Sequence, residues 1–317
     1  MSQFLEGGTG MLAAPMPSLN DPEGDRVLDS LPPVIDAHVH VFPDSLFEAI
    51  RRWFDRHAWP IRYRLSAPQV IEFLFARGIR HIVALHYAHK PGISRDLNAF
   101  AAALVNEYLG VTALATVFPG EPDDLAILEE AFGMGLRGVK LHSHVQCFEF
   151  ETPTMHRIYD LCSFHGKPMV IHAGREPKSP AYGCDPYILC GADRIRRILR
   201  SHPDLRLCIP HLGFDEFGAY DAMVQEFDTL WLDTTMTLGG YFMKDPPLDL
   251  AKLRSDRILY GTDFPNIPYA WDRELKQLQR LDLPPQTLER ILWRNAVDLF
   301  SIDMDTCLRP DAKETLV

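Results

Sequence analysis

Short apolar runs rich in β-branched residues recur along the whole chain, and stretches with apolar residues at helical spacing separate them. Eight runs read as strands: Val34–His38, His81–His86, Thr112–Val117, Gly138–Leu141, Pro168–Ile171, Leu205–Ile209, Leu230–Asp233 and Arg257–Tyr260. Most are continuously apolar rather than alternating, as strands buried on both faces of a helix-covered parallel sheet must be. Between them the spacing predicts helices over Asp44–His57, Ala67–Arg77, Arg95–Tyr108, Pro122–Met134, Thr154–His165, Asp193–Arg200 and Tyr220–Phe227. Gly78, Gly110, Gly135, Gly166 and Pro203 punctuate the joins.

Strand and helix alternating eight times predict an α/β fold, a (β/α)8 TIM barrel. An open doubly wound sheet is the rival, but the Gly-rich phosphate loop that would support it is missing from the sequence. Two more helices, Asp272–Arg280 and Pro285–Leu299, follow the eighth strand. Leu288, Ile291, Leu292 and Val297 give the second an apolar stripe with which to pack on the barrel. The expected organisation is a flexible N-terminal arm (residues 1–30), one barrel (31–303) and a C-terminal tail (304–317).

Composition narrows the partners. The 317 residues carry a net charge of −11, and the 32 Lys and Arg are scattered. A polyanion needs a basic face, and the one local basic run, Arg194, Arg196, Arg197 and Arg200, lies on a predicted helix as a solvated face. Nucleic acid is therefore not an expected partner. No apolar run reaches about 18 residues, so no membrane span is expected. The first 30 residues lack the basic-then-apolar order of a secretory leader. Six Cys without a CxxC pair suit reduced thiols and a cytoplasmic setting. A homodimer is the base-rate expectation for a soluble enzyme.

The chemistry gathers at strand ends, where barrel enzymes place their sites. The first strand ends Asp36-Ala37-His38-Val39-His40, and alternation puts His38 and His40 on one face. The fifth ends Ile171-His172-Ala173-Gly174, the sixth Ile209-Pro210-His211-Leu212-Gly213, and the eighth leads into Gly261-Thr262-Asp263-Phe264-Pro265. A lone His or Asp at such a place is usually structural. In a closed barrel these ends converge, and three imidazoles with one carboxylate suit Zn²⁺ foremost, with Mn²⁺, Fe²⁺ or Co²⁺ as alternatives.

The ordered set DAHVH, VIHAG, IPHLG and GTDFP resembles the amidohydrolase superfamily, and most closely its branch with the aminocarboxymuconate-semialdehyde decarboxylase type enzymes. The resemblance runs from about Val34 to Phe300. It implies metal ligation by His38, His40, His172 and Asp263, with His211 as the acid/base residue. A bound cation brings the pKa of its water towards neutrality, and an imidazole in reach takes or returns a proton. Asp263 would bind metal, orient water, or both; a fifth-ligand role for His211 stays open.

Lys140 and His142 share a face of the fourth strand. They are expected to contact a substrate carboxylate or carbonyl, and a carboxylated Lys140 bridging two metals is the alternative that the wider superfamily offers. Arg175, after the fifth strand, is a candidate carboxylate clamp. Trp53, Phe54, Trp59 and Tyr63 read as core, with an aromatic lid as the other reading. Three functions follow. The first is a metal-dependent hydrolase of an amide, ester or lactone bond in a small, carboxylate-bearing substrate. The second is a non-oxidative decarboxylase of a small unsaturated or aromatic acid, and the third a catalytically silent binding barrel.

Overall fold

Residues 18–175, 179–240, 250 and 252–303 are described by the computed structural model. Among them, eight parallel strands alternate with helices: β1 (Ile35–His40), β2 (His81–Leu85), β3 (Val111–Ala113), β4 (Val139–His142), β5 (Met169–His172), β6 (Leu207–Ile209), β7 (Leu230–Asp233) and β8 (Ile258–Leu259). Continuous ladders join β1-β2-β3 and β4-β5-β6-β7-β8. Two seams link these sheets into the ring. At one, Ala115 bridges to Val139, with Ala115 N donating to Gly138 O and Lys140 N to Ala115 O. At the other, Val39 bridges to Phe264, and Ala37 N donates to Tyr260 O. The third strand was expected to run to Val117; its ladder ends at Ala113 because the chain there exchanges β2 for β4 as its partner.

The helices sit where the apolar spacing puts them. Asp44–His57 has the predicted bounds, and Ala67–Ala76 starts at a capping box in which Ser66 and Gln69 satisfy each other's backbone N–H. Ala192–Ser201 buries Ile195, Ile198 and Leu199 and turns its arginines outward, where Arg197 pairs with Glu151 and Arg200 with Glu226. The predicted last helix is three pieces: Pro285–Glu289, a π-turn at Arg290–Arg294, and Asn295–Phe300. The π-turn frees the Ile291 carbonyl, which accepts from Tyr260 N just after β8.

Two apolar clusters hold the layers. The larger lies between the strands and the outer helices. The smaller joins Ile35, Leu85, Val170, Cys208, Trp231 and Leu259 to Trp293, Leu299 and Phe300. Its strand residues come from around the ring, so the last helix stoppers one end of the barrel and leaves the other for chemistry. Of the N-terminal arm, the described part from residue 18 is tied to the barrel. Arg273 pairs with Asp21 at 2.7 Å, Trp271 Nε1 donates to Gly24 O, and Tyr63 bonds Glu23. No helix among the described residues is long and apolar enough to cross a membrane. The five described cysteines are free thiols.

Candidate metal centre

β1 delivers His38 and His40, both buried, with ring centroids 5.1 Å apart. Asp263 follows β8 in a left-handed conformation (φ 69°), which Asp tolerates better than most residues. Its N–H donates to the His38 carbonyl at 2.9 Å. Its Oδ1 lies 2.9 Å from His40 Nε2 and 3.4 Å from His38 Nε2. One donor atom from each of the three lies within 4.8 Å of the other two. Gly261 permits this approach: a Cβ there would stand 2.8 Å from His38 Cβ and 2.5 Å from Thr235 Oγ1.

A carboxylate stands behind His38. Asp233, the last residue of β7, places Oδ2 2.8 Å from His38 Nδ1, and its Oδ1 accepts from the backbone N–H of His211 and Thr235. Asp233 therefore holds the His38 proton on Nδ1 and leaves the Nε2 lone pair facing Asp263, the carboxylate–imidazole pairing of metal sites. That Nε2 is buried and has no hydrogen-bond partner. Two lone-pair atoms facing each other with no proton between them are a place for a cation, and the N₂O donor set suits Zn²⁺, Mn²⁺, Fe²⁺ or Co²⁺.

The protonation states agree with ligation. Burial, then the charge of Lys140, pushes His38 down to about 4 against the pull of Asp233, so the ring is neutral at pH 7. Burial works against ionising Asp263, but His40, then His38 and His211, outweigh it and hold the group well below the usual carboxylate range.

His172 and His211 stand beside these donors. The His172 ring centroid is 6.1 Å from that of His38, and its Nε2 lies 2.8 Å from His211 Nε2. Gly174 makes that meeting possible: at φ 93° it passes so near the β6 loop that a Cβ would stand 2.4 Å from Gly213 O. His211 is itself left-handed (φ 57°), a strained non-Gly position of the kind that functional sites keep. Its Nδ1 is 2.9 Å from the Thr235 carbonyl, which can only accept, so His211 carries its proton on Nδ1 and offers a lone pair at Nε2. The proton between the two rings then belongs to His172, whose Nδ1 accepts from Lys140 Nζ at 3.1 Å. His172 thus lies next to the three-donor group with its Nε2 turned to His211.

The expected substrate residues separate. His142 lines a cavity of about 320 Å³ and stacks on His172 at 3.9 Å, the two being register partners across β4 and β5. Lys140 is 0 % exposed, with its ammonium against His172 rather than on the cavity wall. Arg175 is half-exposed, with Nε 3.6 Å from a Glu216 oxygen, and it too is off that wall. Trp59 is structural, its Nε1 donating to Asn266 O, and Tyr63 packs on Phe264. Trp53 and Phe54 instead line the cavity.

Two acids escaped the sequence reading. Asp233 had one signal, its place at a strand end. Asp36 was only part of a motif; it is wholly buried, and its Oδ2 accepts from Thr262 Oγ1 at 2.5 Å across the seam.

Comparison with known proteins places this geometry. A family model described as amidohydrolase matches residues 35–302, most of the chain. No curated protein matches. Among solved structures, an uncharacterized TIM-barrel protein from Bordetella bronchiseptica superposes with a TM-score of 0.67 at 19% identity, covering 88% of this chain and 100% of that one. A putative 2-pyrone-4,6-dicarboxylic acid hydrolase from Pseudomonas putida gives 0.59 at 18%, covering 86% and 98%. A 5-carboxyvanillate decarboxylase from Novosphingobium aromaticivorans, complexed with manganese and 4-hydroxy-3-methoxy-5-nitrobenzoic acid, gives 0.60 at 16%, covering 90% and 99%. At these identities the neighbours show the fold, a TIM barrel.

Proposed function

From a chain that belongs to the amidohydrolase family, we propose a metal-dependent hydrolase of an amide, ester or lactone bond in a small molecule. The observation that carries this reading is the His38–His40–Asp263 group with Asp233 behind His38. His172 is the proposed fourth ligand, giving up its contact with His211 to reach the cation. A divalent ion held there supplies Lewis acidity, activating water and polarising a carbonyl.

The chain's own residues do the rest. Asp233 keeps the His38 lone pair aimed inward. His211, with Nδ1 committed to Thr235 O, takes a proton at Nε2 and returns it to the leaving group. Its fixed turn and the Asp233 oxygen on its N–H hold that nitrogen in place.

Decarboxylation is the second reading; the manganese-containing decarboxylase neighbour favours it. Release of CO₂ from a candidate acid, rather than hydrolysis of esters and amides, would select it. The test of the shared premise is elemental analysis of the purified protein and of His38→Ala. We expect about one divalent ion per chain in the first and near none in the second. Equal occupancy removes His38 from the ligands, and no metal after reconstitution removes the centre.

A further inference from the structure

The cavity beside the metal centre is walled by one face of the helix Asp44–His57 and by the segment Ala181–Gly183. Leu46, Ile50 and Trp53 project from that face at helical spacing. Trp53 stacks on Tyr182 with centroids 5.2 Å apart. From there rings run inward without a break: Tyr182 to His144 at 4.6 Å, His144 to His142 at 4.5 Å, His142 to His172 at 3.9 Å. Phe42, on the same wall, stacks on His40. The cavity wall therefore packs directly on the residues of the metal centre, and its described lining holds three imidazoles but no Lys, Arg, Asp or Glu.

Its size and surface say what it takes. An apolar cavity of about 150 Å³ holds benzene; this one, at about 320 Å³, has room for a substituted ring. A carboxylate pressed against such walls loses its water and meets no Lys or Arg among the described lining residues. The two cations expected to hold one are engaged elsewhere, Lys140 on His172 and Arg175 with Glu216. Flat aromatic walls reward a flat neutral group.

Resting on the metal-centre reading above, we infer that the substrate carries a neutral aromatic group, seated against the wall that Trp53 and Tyr182 form together while the reacting carbonyl faces His38, His40 and Asp263. This inference departs from the expectation of a carboxylate-bearing substrate, which named Lys140, His142 and Arg175 as its contacts; of these only His142 is among the described lining residues. Trp53 becomes a specificity-determining residue.

The test measures binding rather than turnover. Acetohydroxamate, 4-methylbenzohydroxamate and 4-carboxybenzohydroxamate share one metal-binding head, and calorimetric titration of the metal-loaded protein compares their tails. We expect the 4-methyl compound to bind at least about tenfold more tightly than the 4-carboxy compound, a gap of about 1.4 kcal/mol. Trp53→Ala should erase most of the 4-methyl compound's advantage over acetohydroxamate, with Trp53→Phe restoring much of it. Ile50→Lys, which sets a cation on the wall, should raise affinity for the 4-carboxy compound. Equal or tighter binding of the 4-carboxy compound by the unaltered protein overturns the inference and leaves the metal centre standing. Failure of all three to bind, acetohydroxamate included, overturns the metal centre and this inference with it.

Discussion

The seam between β1 and β8 and the cavity wall in front of it are built by different forces. At the seam, position is set by directed bonds: Asp36 to Thr262, Asp233 to His38 and His211, Asp263 to His40. Across the cavity, position is set by ring against ring, Trp53 on Tyr182 and Phe42 on His40. Hydrogen bonds fix an atom within tenths of an ångström and tolerate no substitute. Stacked rings fix a shape and accept any ring of similar size. On the function proposed above, chemistry belongs to the first region and selection to the second, so substitutions in the two should fail differently.

The sharpest contrast comes from His211. His211→Ala should keep its metal and lose turnover by roughly 10²–10⁴-fold, the usual weight of a general acid/base. Elemental analysis beside steady-state kinetics checks this, and a fully active variant would take His211 out of the chemistry. Next, Asp233→Asn should weaken metal affinity by about 10–100-fold, the usual effect of losing a ligand's orienting partner. Competition with a chelator reads that directly, and unchanged affinity would mean that Asp233 is only structural.

A smaller effect tests the support behind the seam. Glu274 is buried, accepts from Met236 N and from Tyr269 OH, and burial raises its pKa well above 4.5. A carboxyl raised in the folded state binds its proton more tightly than in the unfolded chain. Its contribution is whole below pH 4.5 and declines as pH climbs through the raised value, by up to about 1.4 kcal/mol per pH unit. Glu274→Gln should flatten that slope in urea midpoints measured across pH. An unchanged slope would place its origin elsewhere. The smallest effect is expected from Arg175→Ala, within about twofold in kcat/KM, because its charge is half-exposed and engaged by Glu216. A large rise in KM would return Arg175 to the substrate.

The same contrast explains what could be read from the chain. Strand ends advertise themselves: His38, His40, His172, His211 and Asp263 each follow an apolar run, and the structure gathers them on one rim. Periodicity also placed the predicted helices within about three residues at either end, the largest miss being the start of Phe217–Glu226, since apolar spacing and packing obey the same geometry. Leu46, Ile50 and Trp53 defeated it, because a stripe at helical spacing looks alike whether it faces a core or a cavity. Lys140 defeated it for another reason. Alternation says which face a side chain takes, but not that the space there is already filled by His172. The π-turn at Arg290–Arg294 left no mark because no residue type requires it; a single acceptor for Tyr260 N does.

The seam has one more consequence, in the order of synthesis. Asp36 and Thr262, the latch beside the metal donors, are 226 positions apart in the chain. During translation β1 emerges first, and its two imidazoles must wait for the residue that completes the donor set. A chain cut short before Asp263 has every histidine of the site and still lacks the carboxylate that binds the two ends together. The three-donor group proposed to hold a cation is therefore complete only once the segment after β8 has met β1, so loss of that group's ion is expected to accompany opening of the seam.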